Sequence, residues 1–332
     1  MGFTLVSMLP SWTFSSSRRY SRSYVERSFY SMGAMGMISA FGDDRGALMR
    51  GITRAIVEFQ RLDNLLTIFN ESSQVSRLNA LGGREMVPVD EDVADILRFS
   101  VEMSWKTSGV FDITVGPLMD LWGFRGKKKE SVPAEREIAA VLESMGPDKI
   151  FVDEGERTAA LLHPGTRIDL GGVGVGYAVD RAVKILKAEG IDSAFVNHSG
   201  DAYALGVPDE SEGWEIGIPD PGNPEILSEK FLLCDAAVAT SGGYRQFVTI
   251  GPHRFAHIID PRSGIPGQTL QSVSLIARNA VTADALSTSL FCVGTEGAGR
   301  LLDIFPETSF IGLTRHGDET AIQIINDPRK GK

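Results

Sequence analysis

The chain has 332 residues, 42% hydrophobic and 23% charged, which suits a soluble globular protein of one large domain or two closely joined ones. Its formal net charge of -10 excludes broad nucleic-acid binding, because phosphate backbones need a basic face. Cys234 and Cys292 stand in apolar segments (FLLCD and SLFCVG) and read as buried free thiols, and no CxxC or Cys/His cluster suggests zinc or iron–sulfur.

Residues 1–27 are Ser/Arg-rich and read as a poorly ordered tail, with ordered structure starting near Ser28. The short apolar run at the start has no basic residue before it, and Arg18–Arg19 follow it, so neither a Sec nor a twin-arginine signal fits. No lipobox cysteine is present and no stretch reaches about 18 uncharged apolar residues, so no membrane span and a cytoplasmic location are expected. FYSMGAMGMISAFG reads as an extended segment broken by Gly33 and Gly36. Leu48, Ile52, Ile56, Phe59, Leu62 and Leu66 then recur at helical spacing, with Asp43 or Asp44 as the cap. A second helix is predicted through Val93, Ile96, Leu97, Val101 and Trp105, with Gly109 as its stop.

Residues 123–147 form a charged excursion containing GKKKE, followed by a short helix, AEREIAAVLESMG. Strand-like runs KIFVD, TAALLH and TRIDL precede a helix, YAVDRAVKILKAEG, that ends at Gly190. Beyond it, short strands (SAFVN, DAYALGV, WEIGIP, FLLCD, FVTI, FAHIID, SVSLIA) mix with a helix, TADALSTSLFCVG, and a later LLDIF. This mixture lacks regular βαβ spacing, so the expected fold class is α+β, over residues 28–325, with a C-terminal tail at 326–332.

Four stretches combine glycines and polar side chains more densely than packing requires: 108–124, 167–180, 195–206, and a group running from 239 to 291. Gly171, Gly172, Gly174 and Gly176 lie between a strand and a helix, where backbone N–H groups can receive an anion or where a tight turn simply needs glycine. The turn lacks the Lys-Ser/Thr ending of a P-loop. Asp284 and Thr288, four apart on a helix, project from one face. With backbone carbonyls and water they suit a hard cation such as magnesium; alternatively Thr282 caps the helix and Asp284 sits at its positive end. His257, at a strand end, reads as a general base, a ring-stacking neighbour or a structural residue. His198 stands out because it adjoins the Gly200–Asp201 turn.

Taken in order, these pieces resemble the ApbE family of FAD:protein FMN transferases, over about residues 28–325. The matching segments are MG at 32–33, DNLLTIF at 63–69, SQVSRLN at 73–79, GVFDITVGPLMDLWGF at 109–124 and IDLGG…GYAVD at 168–180. TSGGYRQF at 240–247, HIIDPRSGIP at 257–266 and TADALSTSLF at 282–291 complete the series.

The resemblance implies an α+β fold of mixed sheets and packed helices with a cleft for FAD. It also implies magnesium-assisted transfer of the FMN half of FAD to a Thr or Ser hydroxyl, releasing AMP. The acceptor would be a protein carrying an Asp-x-x-Ser/Thr-Gly-Ala-Ser/Thr motif. By the same resemblance Asp284, Thr288 and the Gly174 carbonyl would hold the metal, and Met32, Phe69, Phe111, Asp112, Asp180, His257 and Ile258 would line the FAD site. His257 is the candidate catalytic proton acceptor or flavin-positioning group. The chain departs from the family pattern at Val175, where many members carry lysine, at Gly243 and Ser199, and at Phe69, where tyrosine is common. An FAD pyrophosphatase and a non-catalytic FAD-binding protein are the competing readings.

Overall fold

The computed structural model describes residues 22–126, 129–209, 211–223, 225–243, 246–267, 269–316 and 319–330. In chain order the elements are β1 (Ser23–Ser31), β2 (Ala34–Gly42), α1 (Arg45–Leu66), α2 (Gln74–Leu81), β3 (Val87–Pro88), α3 (Glu91–Lys106), α4 (Gly116–Leu121), α5 (Glu135–Leu142), β4 (Ile150–Asp153) and β5 (Thr158–Leu161). They continue with α6 (Gly174–Ala188), β6 (Ser193–His198), β7 (Asp201–Leu205), β8 (Trp214–Pro219), β9 (Leu227–Leu233), β10 (Ala236–Gly242), β11 (Phe247–Ile250) and β12 (His253–Ala256). The last are β13 (Ile259–Asp260), β14 (Ile265–Pro266), β15 (Ser272–Ala277), α7 (Ala280–Leu302), β16 (Ser309–His316) and β17 (Glu319–Ile325).

The fold is α+β. Its centre is an eight-stranded sheet in the order β1-β2-β6-β7-β10-β15-β16-β17, antiparallel throughout. Strands β6, β7 and β15 are buried at every position, because both faces of the sheet are covered. Helices α1, α6 and α7 pack on one face around Phe59, Ile52, Leu186, Leu286 and Phe291. The β8–β9 hairpin closes the other face through Trp214, Ile216 and Phe231, against Phe41, Phe195 and Ile311. A third apolar cluster joins Leu118 and Trp122 to Ile138, Phe255 and Ile259.

All six periodic positions of α1 are buried, and Asp44 caps it by accepting the Gly46 N–H. The α3 reading needs correction at its end: Trp105 is 64% exposed, and the buried stripe runs through Ser100, Met103 and Ser104 instead. TRIDL is no strand; Arg167 makes one parallel bridge with Val115, and the segment is held by side chains described below. The helix expected to stop at Gly294 kinks there, with φ 66°, and continues to Leu302. Strand β1 begins at Ser23, ahead of Ser28; residues 1–21, and Lys127 and Lys128 of the GKKKE run, lie outside the described residues. At the C-terminus Arg329 pairs with Asp327 and with Glu229 of β9. Cys234 is exposed and Cys292 half-buried, so the first thiol was misplaced by its apolar neighbours: it follows the last residue of β9 and turns outward. Among the described residues no helix is long and apolar enough to cross a membrane.

A polar knot fixes α6 to its neighbours. Arg61 of α1 makes two 2.8 Å hydrogen bonds to Glu58 and pairs with Asp92 of α3. Tyr177 of α6 donates to Asp92 at 2.6 Å, and Arg181 reaches Asp92 and Glu58 at 3.2 and 3.4 Å. Burial alone would raise the Asp92 carboxyl, but Tyr177, Arg61 and Arg181 together hold it below its ordinary range. Every member is partnered, which is what a buried charged cluster needs to avoid costing stability.

Candidate active site at the junction of α6 and α7

Helices α6 and α7 lie side by side, and their contacts build a polar buried corner. The Gly176 N–H donates to Asp284 Oδ2 at 3.1 Å. A Cβ on Gly176 would fall 2.4 Å from the Ala280 carbonyl oxygen, and one on Gly172 would fall 3.0 Å from Thr288 Oγ1. Glycine is therefore required here for close approach of the two backbones. Asp284 and Thr288 thus share one face of α7, turned to the glycine turn, with Gly174 buried between the two contact points. Val173 makes no side-chain cap at the start of α6; the Gly174 N–H is taken by the Leu170 carbonyl and the Gly176 N–H by Asp284, so a side chain of α7 does part of the capping.

Asp284 is 5% exposed. Burial, together with the neighbouring Asp201 and Asp180 carboxylates, pushes it well above the ordinary carboxylate range; the Gly176 bond opposes this only partly. Two acids in contact in an apolar interior ask for a shared proton or a cation. Among the described residues no three His, Cys, Asp or Glu side chains converge as a ligand cluster. The donor set is instead one carboxylate, the Thr288 hydroxyl and backbone oxygen, which fits a hard divalent cation that keeps several waters. Ser241 of β10 adds a hydroxyl 2.8 Å from Ser287 and 3.4 Å from Thr288.

The segment leading into the glycine turn is held from both sides. Asn79 of α2 pairs with both backbone groups of Ile168, donating to its carbonyl at 2.9 Å and accepting its N–H at 2.7 Å. On the other side the Asp169 N–H donates to the Ile113 carbonyl at 2.7 Å. Asp169 also accepts the Gly171 N–H at 2.7 Å and pairs with Arg125. This places Phe111 and Asp112 beside the glycine turn. The Phe111 ring is core, 3% exposed, so only its backbone is left for a ligand. Asp112 is buried, which raises its carboxyl, and Oδ1 accepts both the N–H and the hydroxyl of Thr114 at 2.7 Å.

Asp180 has a capping task. Its two oxygens accept the Ala280 and Val281 N–H groups at 2.8 and 2.9 Å, and burial nevertheless lifts it to about 6. Asn279, not Thr282, is the N-cap of α7, accepting the Thr282 N–H at 3.0 Å. His257 follows β12, and its Nδ1 lies 3.1 Å from the Gln246 carbonyl, so Nδ1 carries the hydrogen and Nε2 the lone pair. A Cβ on Gly243 would lie 3.1 Å from both Ala256 and Phe291, so the segment bearing His257 packs on α7 one turn beyond Thr288. Ile258 is buried in the main core, and its carbonyl accepts the Gly267 N–H at 2.9 Å. Phe69 is 86% exposed on a loop whose base is tied by Ser73 and Ser76 to the Thr67 carbonyl. Met32 occupies the β1–β2 turn with φ 47°.

The ApbE family model matches residues 32–310. The chain belongs to the ApbE family. It is 33% identical over 241 residues to an Escherichia coli K12 protein named FAD:protein FMN transferase, covering 71% of this chain and 69% of that protein. A Klebsiella pneumoniae protein of the same name is 30% identical over 270 residues, covering 80% and 83%. The crystal structure of an ApbE protein from Thermotoga maritima superposes with a TM-score of 0.83 at 29% identity, covering 93% of this chain and 99% of that one. The ApbE fold and the corner between α6 and α7 therefore occur together in this chain. Sequence reading missed Asn79, Asp201 and Ser241. All three lie in segments already quoted for their motifs, but only pairing across the fold shows what they touch.

Proposed function

We propose that this chain transfers FMN from FAD to a Thr or Ser hydroxyl of a partner protein, releasing AMP. The observation that carries the reading is the junction of Asp284 and Thr288 with the glycine turn before α6, in a chain whose relatives bear the name FAD:protein FMN transferase. Asp284, Thr288 and the Gly174 carbonyl would hold magnesium, which when bound neutralises charge at the pyrophosphate. The positive end of the α6 dipole would favour the same anion. Phe69, Met32 and the backbone at Phe111, Asp112 and Ile258 would bound the flavin nucleotide, with Asp180 keeping α7 in place against α6.

In the reaction the acceptor oxygen forms a bond to the FMN phosphorus and the bridging P–O bond to AMP breaks. His257 takes the hydroxyl proton at Nε2, with the Gln246 carbonyl holding the tautomer. The acceptor is a protein presenting an Asp-x-x-Ser/Thr-Gly-Ala-Ser/Thr segment.

The deciding assay measures AMP release from FAD and magnesium, with and without a peptide bearing that segment. AMP only with peptide, and flavin fluorescence retained on the peptide, supports the transferase. AMP without peptide identifies a pyrophosphatase. FAD binding with no AMP in either tube overturns catalysis and leaves a flavin-binding protein.

A further inference from the structure

The turn between β1 and β2 is built from Met32 and Gly33, with φ 47° and 76°, and closes the Ser31–Ala34 pair. Positive φ at both central positions is the geometry of a tight hairpin turn, in which glycine or asparagine is at ease and a long unbranched side chain is not. A methionine there is a local strain that the surroundings must hold.

Two side chains from distant parts of the chain hold it. The Met32 N–H donates to Asp63 Oδ2 at 2.7 Å, and His198 Nε2 lies 2.9 Å from the Ser31 carbonyl oxygen. These are the two ends of one peptide group. The carbonyl can only accept, so His198 donates from Nε2 and its Nδ1 carries a lone pair. That Nδ1 is buried and has no hydrogen-bond partner among the described residues. The ring is fully buried, stacked on Phe59 at 5.4 Å and close to Phe29 at 5.8 Å. Room for it comes from Gly36, where a Cβ would lie 2.8 Å from His198 Cδ2 and 2.5 Å from the Phe29 ring.

Phe29, Gly36, His198 and Asp201 are successive partners across β1, β2, β6 and β7. The row that seats the imidazole therefore ends at the acid lying against Asp284. An apolar side chain here would remove the unpaired Nδ1 but also the donor to the Ser31 carbonyl, so the contribution specific to the histidine is its hold on that peptide.

We propose that Asp63 and His198 are positioning residues that grip the Ser31–Met32 peptide from both ends and hold Met32 in its left-handed conformation against the flavin nucleotide. The inference rests on the flavin reading of the site and adds to it the device that sets the Met32 wall.

The test titrates FAD against the full chain in the presence of magnesium, with a urea unfolding midpoint for each variant. His198→Leu should bind FAD roughly five-fold more weakly at a midpoint close to the wild type's, because the loss of one donor to the Ser31 carbonyl is offset by removal of an unpaired buried nitrogen. His198→Gln, whose amide N–H can reach the same carbonyl, should stay within about two-fold of the wild type. Asp63→Ala, at a half-buried position, should match His198→Leu, and it decides the matter if that variant does not fold. Wild-type affinity in Asp63→Ala or His198→Leu overturns the clamp and leaves the flavin reading intact, as does a Gln variant as weak as the Leu variant. A wild-type chain that binds no FAD sinks both.

Discussion

The corner where α6 meets α7 and the loops that carry Phe69 and His257 are built on opposite terms. In the corner Asp284 is buried beside other acids, glycines bring two helix backbones into contact, and each element is pinned by side chains from elsewhere. Phe69 instead stands in solvent, and His257 is half-buried with Gln246 as its backbone anchor. On the proposed reading, the charge-handling part of the site is set before any ligand arrives, whereas the aromatic contact would form around it. Preorganised charge belongs in a dry, rigid setting; a stacking face loses little by waiting in water.

The sharpest way to break that contrast is Asp284→Ala. Magnesium-dependent transfer should fall more than ~100-fold, since the one carboxylate proposed for the metal is gone. The metal-free protein should unfold at the same or higher urea concentration, because a buried acid–acid contact is removed. Normal turnover would refute the metal assignment. His257→Ala should lower the transfer rate by about 10²- to 10⁴-fold with FAD affinity nearly unchanged. If saturating FAD restores the rate, His257 positions flavin and another group takes the proton.

Phe69→Ala should weaken FAD binding roughly ten-fold while leaving the unfolding midpoint alone, which is what an exposed stacking face predicts. A midpoint shift would place Phe69 in the fold and not in the site. Val175→Lys, adding a cation in the first turn of α6, should leave FAD affinity intact or raise it up to about three-fold, with the transfer rate followed in the same assay. Clear loss of FAD binding would mean that the glycine turn is misread.

The smallest effect concerns His198. Burial pushes its imidazole below the ordinary 6.5, so the folded state binds fewer protons than the unfolded one under mildly acid conditions. Its stability contribution is complete above pH 6.5 and is lost as pH falls toward the lowered folded value. A urea midpoint that declines below pH 6.5 in the wild type should decline less in His198→Leu. Identical profiles would show that the imidazole does not titrate there.

The sequence by itself determined the α+β class, the apolar face of α1, the glycine turn before α6 and the pairing of Asp284 with Thr288 on one helical face. These are local or periodic properties, set by spacing along a single element. Its failures have the same origin. Trp105 fits the period of α3 yet points to solvent, because which arc of a helix is buried depends on what packs against it. Cys234 looks apolar among its neighbours yet lies at a strand end. Thr282 is a good cap by type, but Asn279 stands where the helix starts. Only the tertiary structure decided that Asp180 closes the start of α7, that Asn79 holds Ile168, and that Asp63 and His198 meet on one peptide. Such contacts join residues 31 to 167 positions apart, and nothing in either segment alone announces a partner that far along the chain.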